Sequence, residues 1–161
     1  MIVSDASPLI YLAKAGKLYL LREMFGKVLT EEEVKRETID RGKEESAPDA
    51  SVIEDAVNAG WIEVAKVEEE KSFSGIHKGE GNTILLAKKH KCLVLIDEED
   101  GREVARAVGL KVRGCLYVLK NAVEKGLMSK DGAIRTLDEM IEDGFRISTR
   151  IYVKFLEEMK R

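Results

Sequence analysis

Ile2-Val3-Ser4-Asp5-Ala6-Ser7-Pro8-Leu9-Ile10 reads as a short strand that ends in an acid and turns directly into a helix. Ser7 is expected to cap that helix, with Pro8 in its first position, where a missing N–H costs nothing and the fixed φ is already helical. Asp5 then stands at the C-terminal end of a strand. In parallel α/β sheets ligands and catalytic groups gather at that edge, which makes Asp5 a candidate site residue. Acids at such corners also make local turn bonds, so Asp5 needs other acids nearby before it carries a function.

Working outward, Leu9 to Met24 carries a helical apolar pattern interrupted near Gly16 and closed by Gly26, which predicts two helical pieces or one bent helix. Lys27-Val28-Leu29 is a second strand. Thr30 and Glu33 have the spacing of a capping box for a helix bearing Val34, Glu37 and Thr38. The polar segment from Gly42 to Asp49, with Pro48, reads as a mobile loop before a helix from about Ala50 to Asn58. Trp61 to Val67 alternates apolar and polar residues, the pattern of an edge strand. The acidic run Glu68 to Glu70 opens a solvated loop reaching Lys78.

Gly79-Glu80-Gly81-Asn82 opens the next helix and places Glu80 in its first turn. Lys91 to Ile96 is the most continuous apolar run, as expected of a central strand buried on both faces, and it ends in Asp97-Glu98-Glu99-Asp100. A helix from Arg102 to Val108, a strand at Leu110 to Val112 and three helices near Leu116–Lys125, Ser129–Glu142 and Ser148–Lys160 follow. Ser129 and Ser148 are expected N-caps, with Gly126 and Gly144 as C-caps. This alternation predicts an α/β fold: a three-layer α/β/α arrangement around a central parallel sheet, with a C-terminal helical extension. One domain is expected over residues 1–161, with an α/β core to about 125 and a helical tail from about 126. In the last helix Ile151, Tyr152, Phe155, Leu156 and Met159 form an apolar stripe that packs on the domain by default.

The 161 residues are enough for one substantial core. Hydrophobic residues make up 44% and charged ones 35%, the balance of a soluble globular chain with a dense surface of both signs. The abundance of Lys and Glu matches the composition of heat-loving sources. A net charge of -3 gives no bulk attraction to nucleic acid, so any such binding needs a local basic patch or bridging metal ions. Cys92 and Cys115 lack metal-ligand spacing and read as buried thiols of a reducing compartment. With no membrane-length apolar run and no signal-peptide pattern, a cytoplasmic location is expected.

If the strands holding Val3 and Ile96 are neighbours, Asp5 and Asp97 project from one edge, and the helices bearing Glu37 and Glu80 frame it. Each close pair of like charges would cost about 4 kcal/mol at 4 Å with an effective dielectric near 20, so four such carboxylates require protons or cations. All-oxygen donors without Cys or His point to Mg²⁺ or Mn²⁺, the usual agents of phosphodiester hydrolysis.

The N-terminal Ile2-to-Ile10 stretch, Gly79-Glu80 at a helix start, and Val94-Leu95-Ile96-Asp97-Glu98-Glu99-Asp100 followed by Ala105-Arg106-Ala107-Val108-Gly109-Leu110 together resemble a PIN domain, the fold of VapC-type toxins. Gly144-Phe145-Arg146-Ile147-Ser148 is similar to an archaeal and bacterial subgroup with extra C-terminal helices. The resemblance implies a Mg²⁺- or Mn²⁺-dependent ribonuclease, often a homodimer, often inhibited by a cognate antitoxin. By motif match Asp5, Glu37, Glu80 and Asp97 are the catalytic, metal-binding acids. A further acid after the fourth is implied, with Glu98 or Asp100 available; Asp100 also has the spacing of a capping box with Glu103. Ser7 is a candidate to orient the first carboxylate or the attacking water. His77 and His90 read as solvated, and Lys14, Lys17 and Arg22 as a solvated helix face.

Two other classes compete with the nuclease. A phosphatase or phospho-acceptor on a similar sheet would need a second Asp two residues on, or paired acids after the first strand; position 7 is Ser and Asp5 is flanked by Ser4 and Ala6. A weakly active or inactive PIN-fold module for binding or dimerisation is separated from the enzyme by metal titration.

Overall fold

The computed structural model describes residues 1–68 and 73–161. Its described residues form a five-stranded, all-parallel sheet in the order β3-β2-β1-β4-β5. The strands are β1 (Ile2–Ser4), β2 (Val28–Glu31), β3 (Ile62–Ala65), β4 (Val94–Leu95) and β5 (Val112–Arg113). Helices α1 (Ala6–Lys14) and α2 (Tyr19–Phe25) link β1 to β2. Between β2 and β3 lie α3 (Glu32–Lys35), a π-helical turn (Arg36–Asp40), α4 (Arg41–Glu44) and α5 (Pro48–Asn58). Helices α6 (Lys78–His90) and α7 (Glu99–Ala107) flank β4, and α8 (Cys115–Glu124), α9 (Lys130–Glu142) and α10 (Thr149–Lys160) end the chain.

Strand alternation divides the core in two. Ile2, Val28, Ile62 and Leu95 join α1, α2, α5, α8, α9 and α10 in the larger cluster. Their neighbours Val3, Leu29, Val94 and Ile96 face α6 and α7 in the smaller one. Both faces of the sheet are therefore covered, which is why the strands are apolar throughout rather than alternating. Phe155 and Met159 bury the last helix against the same cluster as the strands. Burial of a phenylalanine such as Phe155 stabilises by about 1.5–3 kcal/mol.

The connection order places the functional edge. From β1 the chain builds outward through β2 to β3, then crosses to the other side of β1 to build β4 and β5. The sheet thus has its topological switch point between β1 and β4, and a crevice opens beyond the C-terminal ends of those strands. Ser4 pairs with Leu95, and the Asp5 N–H donates to the Leu95 carbonyl at 2.9 Å. Asp5 and Asp97 consequently leave neighbouring strands at the same edge.

Several local expectations are corrected. Helix α1 begins at Ala6, so Asp5 occupies the N-cap position, without a side-chain cap bond, and Ser7 and Pro8 lie inside the first turn. Pro8 is tolerated there because the first turn's N–H groups have no intrahelical acceptor. Thr30 belongs to β2 and donates to the Ser4 carbonyl at 3.1 Å. Its proposed role falls to Glu31, whose carboxylate accepts from the Glu33 N–H at 2.8 Å. Similarly, Glu98, not Asp100, holds the N-cap position of α7.

The segment Gly42 to Asp49 is largely ordered as α4 and the start of α5, because Gly42 is buried directly against Ala50; a Cβ at Gly42 would lie 2.7 Å from the Ala50 Cβ. Lys91 is not in a strand but ends α6 in the left-handed conformation, at φ 52°. Of the expected polar loop, residues 69–72 lie outside the described residues, while Phe73 and Ile76 pack against the smaller core cluster rather than being solvated. The Ser129 and Ser148 caps form as expected, accepting from the Gly132 and Ile151 N–H groups. Cys115 is buried, Cys92 half-buried, and both are free thiols.

Candidate active site

Four segments bring acids to the switch point. Asp5 leaves β1 and is only 7% exposed; Glu80, in the first turn of α6, is 8% exposed. Asp97, after β4, and Glu37, in the π-helical turn, are half-buried, and Glu98 and Asp100 are exposed. The π turn matters for Glu37. One extra residue in a turn rotates everything after it by about 100° relative to a regular helix. The Thr38 hydroxyl, which donates to the Val34 carbonyl at 2.8 Å, accompanies this distortion. Glu37, within that turn, lies against the start of α6: its Oε1 is 3.2 Å from where a Cβ on Gly79 would be.

Burial pushes the Asp5 carboxyl up to about 7, against the pull of the Ala6 N–H, and the charges of Glu80, Glu37 and Glu98 add to the rise. Glu80 is likewise pushed up to about 7, first by burial and then by Glu98, Glu37 and Asp100, with a hydrogen-bonding contact to Glu98. Glu37 is raised by burial, opposed by Arg41, with smaller opposing contributions from Glu33 and His77. These three acids and Glu98 therefore share one field. Asp100 figures among the leading charges only at Glu80, so Glu98 is the more central of the two additional candidates.

Asp97 feels Glu98 as well, but α8 compensates it. Its Oδ1 accepts from the Cys115 N–H at 2.8 Å and its Oδ2 from the Cys115 thiol at 3.1 Å. Burial raises the Asp97 carboxyl, while both Cys115 bonds and the charge of Arg102 lower it. Burial, and after it the same carboxylate, hold the Cys115 thiol well above its ordinary value, so that thiol remains a donor.

Two glycines missed in the sequence make this packing possible. A Cβ on Gly101 would stand 2.8 Å from Glu80 Oε2, and one on Gly114 would stand 2.5 Å from Asp97 Oδ1. Neither position has a sequence signature, because the contact is between distant segments. Ser7 lines the crevice beside Asp97 and Glu98 but caps nothing. His77 and His90 are exposed, and Lys14 stands over the Tyr11 ring at 5.8 Å.

The family model DUF3368, described as a PIN domain, matches residues 1–161. The chain belongs to the PIN domain family. Among solved structures, a PilT N-terminus domain protein from the hyperthermophilic archaeon Sulfolobus solfataricus P2 has a similar fold. The TM-score is 0.54 at 16% identity, over 77% of this chain and 95% of that one. No curated protein matches. PIN domains are generally nucleases that use divalent metal ions. The donor chemistry of this PIN domain suits such an ion: carboxylate oxygens only, two of the carboxyls raised first by burial and then by neighbouring negative charge, with no ion-pairing Lys or Arg on Asp5, Glu80 or Asp97 among the described residues. As the side chains stand, no three metal-ligating groups among the described residues converge tightly enough to hold an ion. No helix among them is long and apolar enough to cross a membrane.

Proposed function

We propose that this PIN domain is a divalent-metal-dependent endoribonuclease that hydrolyses RNA phosphodiesters, acting in the cytoplasm as a homodimer and as the toxin of a toxin–antitoxin pair. The observation that supports the activity is the surplus of buried carboxylate at the switch point: Asp5 and Glu80 both raised to about 7, with Glu37 and Glu98 adding charge of the same sign. Such a surplus is costly unless protons or a cation offset it.

Asp5, Glu37, Glu80 and Asp97 would hold Mg²⁺ or Mn²⁺, with Glu98 ahead of Asp100 as the additional acid. Bound there, the ion would supply charge neutralisation at the phosphate and acidify a water molecule. The chain's own part is positional. The Leu95 carbonyl fixes the backbone of Asp5, Cys115 fixes both oxygens of Asp97, and Gly101 leaves room for Glu80. Ser7, which lines the same cleft as Asp97 and Glu98, would orient water or phosphate.

The test is cleavage of a fluorescent RNA pool by purified protein with Mn²⁺. Asp5→Asn should lower the rate by more than about 100-fold, beyond what loss of an outer-shell partner of a metal site usually does. Equal cleavage by wild type and variant would dismiss the assignment. Mn²⁺ titration separates an active site from an inactive binding module, which should not bind the ion at these acids.

A further inference from the structure

Beside the acids, β5, α8 and the segment joining α9 to α10 surround a cleft of about 840 Å³. Ser7 and the acids Asp97, Glu98 and Glu99 line one part of it. Its other walls carry Tyr11, Arg102, Arg113, Tyr117, Lys120 and Arg146. Two of these cations already have structural partners. Arg102 donates to the Ile96 carbonyl at 3.1 Å, and Lys120 pairs with Glu158 at 2.5 Å.

Arg113 and Arg146 lack the acidic neighbours that Arg102 has in Glu99, at 4.0 Å, and Lys120 has in Glu158. Both are exposed, and neither has a carboxylate partner among the described residues. The Arg113 guanidinium lies over the Tyr117 ring at 5.5 Å and donates to the Val112 carbonyl at 2.9 Å. Arg146 is close enough to Tyr11 for its charge to act on the phenol. The Tyr11 ring is fixed edge-on by Phe145, with centroids 5.4 Å apart. The cleft thus presents two guanidinium groups without acidic partners and two aromatic rings, and it shares Asp97 and Glu98 with the candidate site.

A cation beside each ring suits the phosphate and the base of a nucleotide in an unpaired strand. The volume lies in the range of about 300–1,000 Å³ that admits small ligands, enough for a short unstacked segment and too small for a duplex. An acidic peptide would engage the guanidinium groups but leave the rings without a role. We propose that this cleft is the binding channel for single-stranded RNA, with Tyr117 and Tyr11 as base platforms and Arg113 and Arg146 as phosphate contacts on the strand next to the scissile bond. This rests on the nuclease reading above. It also gives the C-terminal extension a task, because Arg146 and Phe145 precede α10.

Fluorescence anisotropy of a labelled ten-nucleotide single-stranded RNA, measured on the full chain in EDTA, tests binding without cleavage. Tyr117→Ala should weaken binding at least about fivefold, the equivalent of one lost base–ring stack, while Tyr117→Phe retains it. Arg146→Glu and Arg113→Ala should each weaken binding and reduce the slope of log affinity against log salt by about 0.7. Unchanged affinity and slope in both arginine variants would overturn the proposal. So would tighter binding of duplex than of single strand, or binding of poly-glutamate in place of the RNA.

The two readings fail separately. If Asp5→Asn cleaves as wild type does while RNA binding still depends on Arg146, the channel stands and the metal-site assignment falls. If cleavage depends on Asp5 but Arg146→Glu and Arg113→Ala bind normally, the reverse holds.

Discussion

At the switch point β1 and β4 each end in an aspartate, and the two carboxylates are treated differently. Asp97 receives a donor on each oxygen, both from Cys115 at the start of α8, and has Arg102 nearby. Asp5 is helped by the Ala6 N–H and otherwise meets Glu80, Glu37 and Glu98. One strand end is compensated by the protein. The other concentrates charge that the protein leaves unneutralised, and a site built that way favours a cation from solution.

pH separates the two aspartates most strongly. The Asp5 carboxyl is higher in the folded chain than in the unfolded one, so the folded state holds its proton more tightly and stability falls as pH rises from about 4 through about 7. The full shift corresponds to at most about 4 kcal/mol. Urea unfolding in EDTA should show this loss between pH 4 and 8, and Asp5→Asn should flatten it. Identical pH profiles for the two proteins would show that Asp5 is not the strained group. Calorimetric Mn²⁺ affinity should rise over pH 6–8 in wild type, because cation and proton compete for the same oxygens, and rise less in the variant.

The next effects act on geometry. Gly101→Ala intrudes on Glu80 and Gly114→Ala on Asp97, and each should reduce RNA cleavage about 10- to 100-fold. Normal cleavage by both would show that neither carboxylate needs its present position. Differential scanning of both variants checks that the fold survives. The smallest effect is expected at the compensated aspartate. Cys115→Ala removes one donor from Asp97 and should cost about 1 kcal/mol in stability, with Cys115→Ser recovering part of it. A stability loss in Cys115→Ala larger than the pH-dependent loss traced to Asp5 would show that Asp97 is the more strained of the two aspartates.

The chain's alternation of strands and helices, with continuous apolar strands, was sufficient for the three-layer fold, since a sheet covered on both faces leaves that pattern in any sequence. The caps at Ser129 and Ser148 were legible because their bonds are local. Ser7, Thr30 and Asp100 were misplaced because the helix starts at α1, α3 and α7 are fixed by where the chain leaves the sheet or the crevice. Capping spacing alone does not record that. The candidate acids Asp5, Glu80 and Asp97 were visible as strand ends and a helix start. Glu98's position among them was not, since it depends on how α7 packs beside α6.

Periodicity and local bonding thus settle the order of strands and helices and the acids Asp5, Glu80 and Asp97 near their ends, though not every boundary. Folding alone settles that β1 lies between β2 and β4, that Glu37 meets the start of α6, that Cys115 engages Asp97, and that Arg113 and Arg146 share a cleft with two tyrosines. Each of those joins segments far apart in the chain. Their energy comes from contacts that exist only once the core has closed, so no local pattern encodes them.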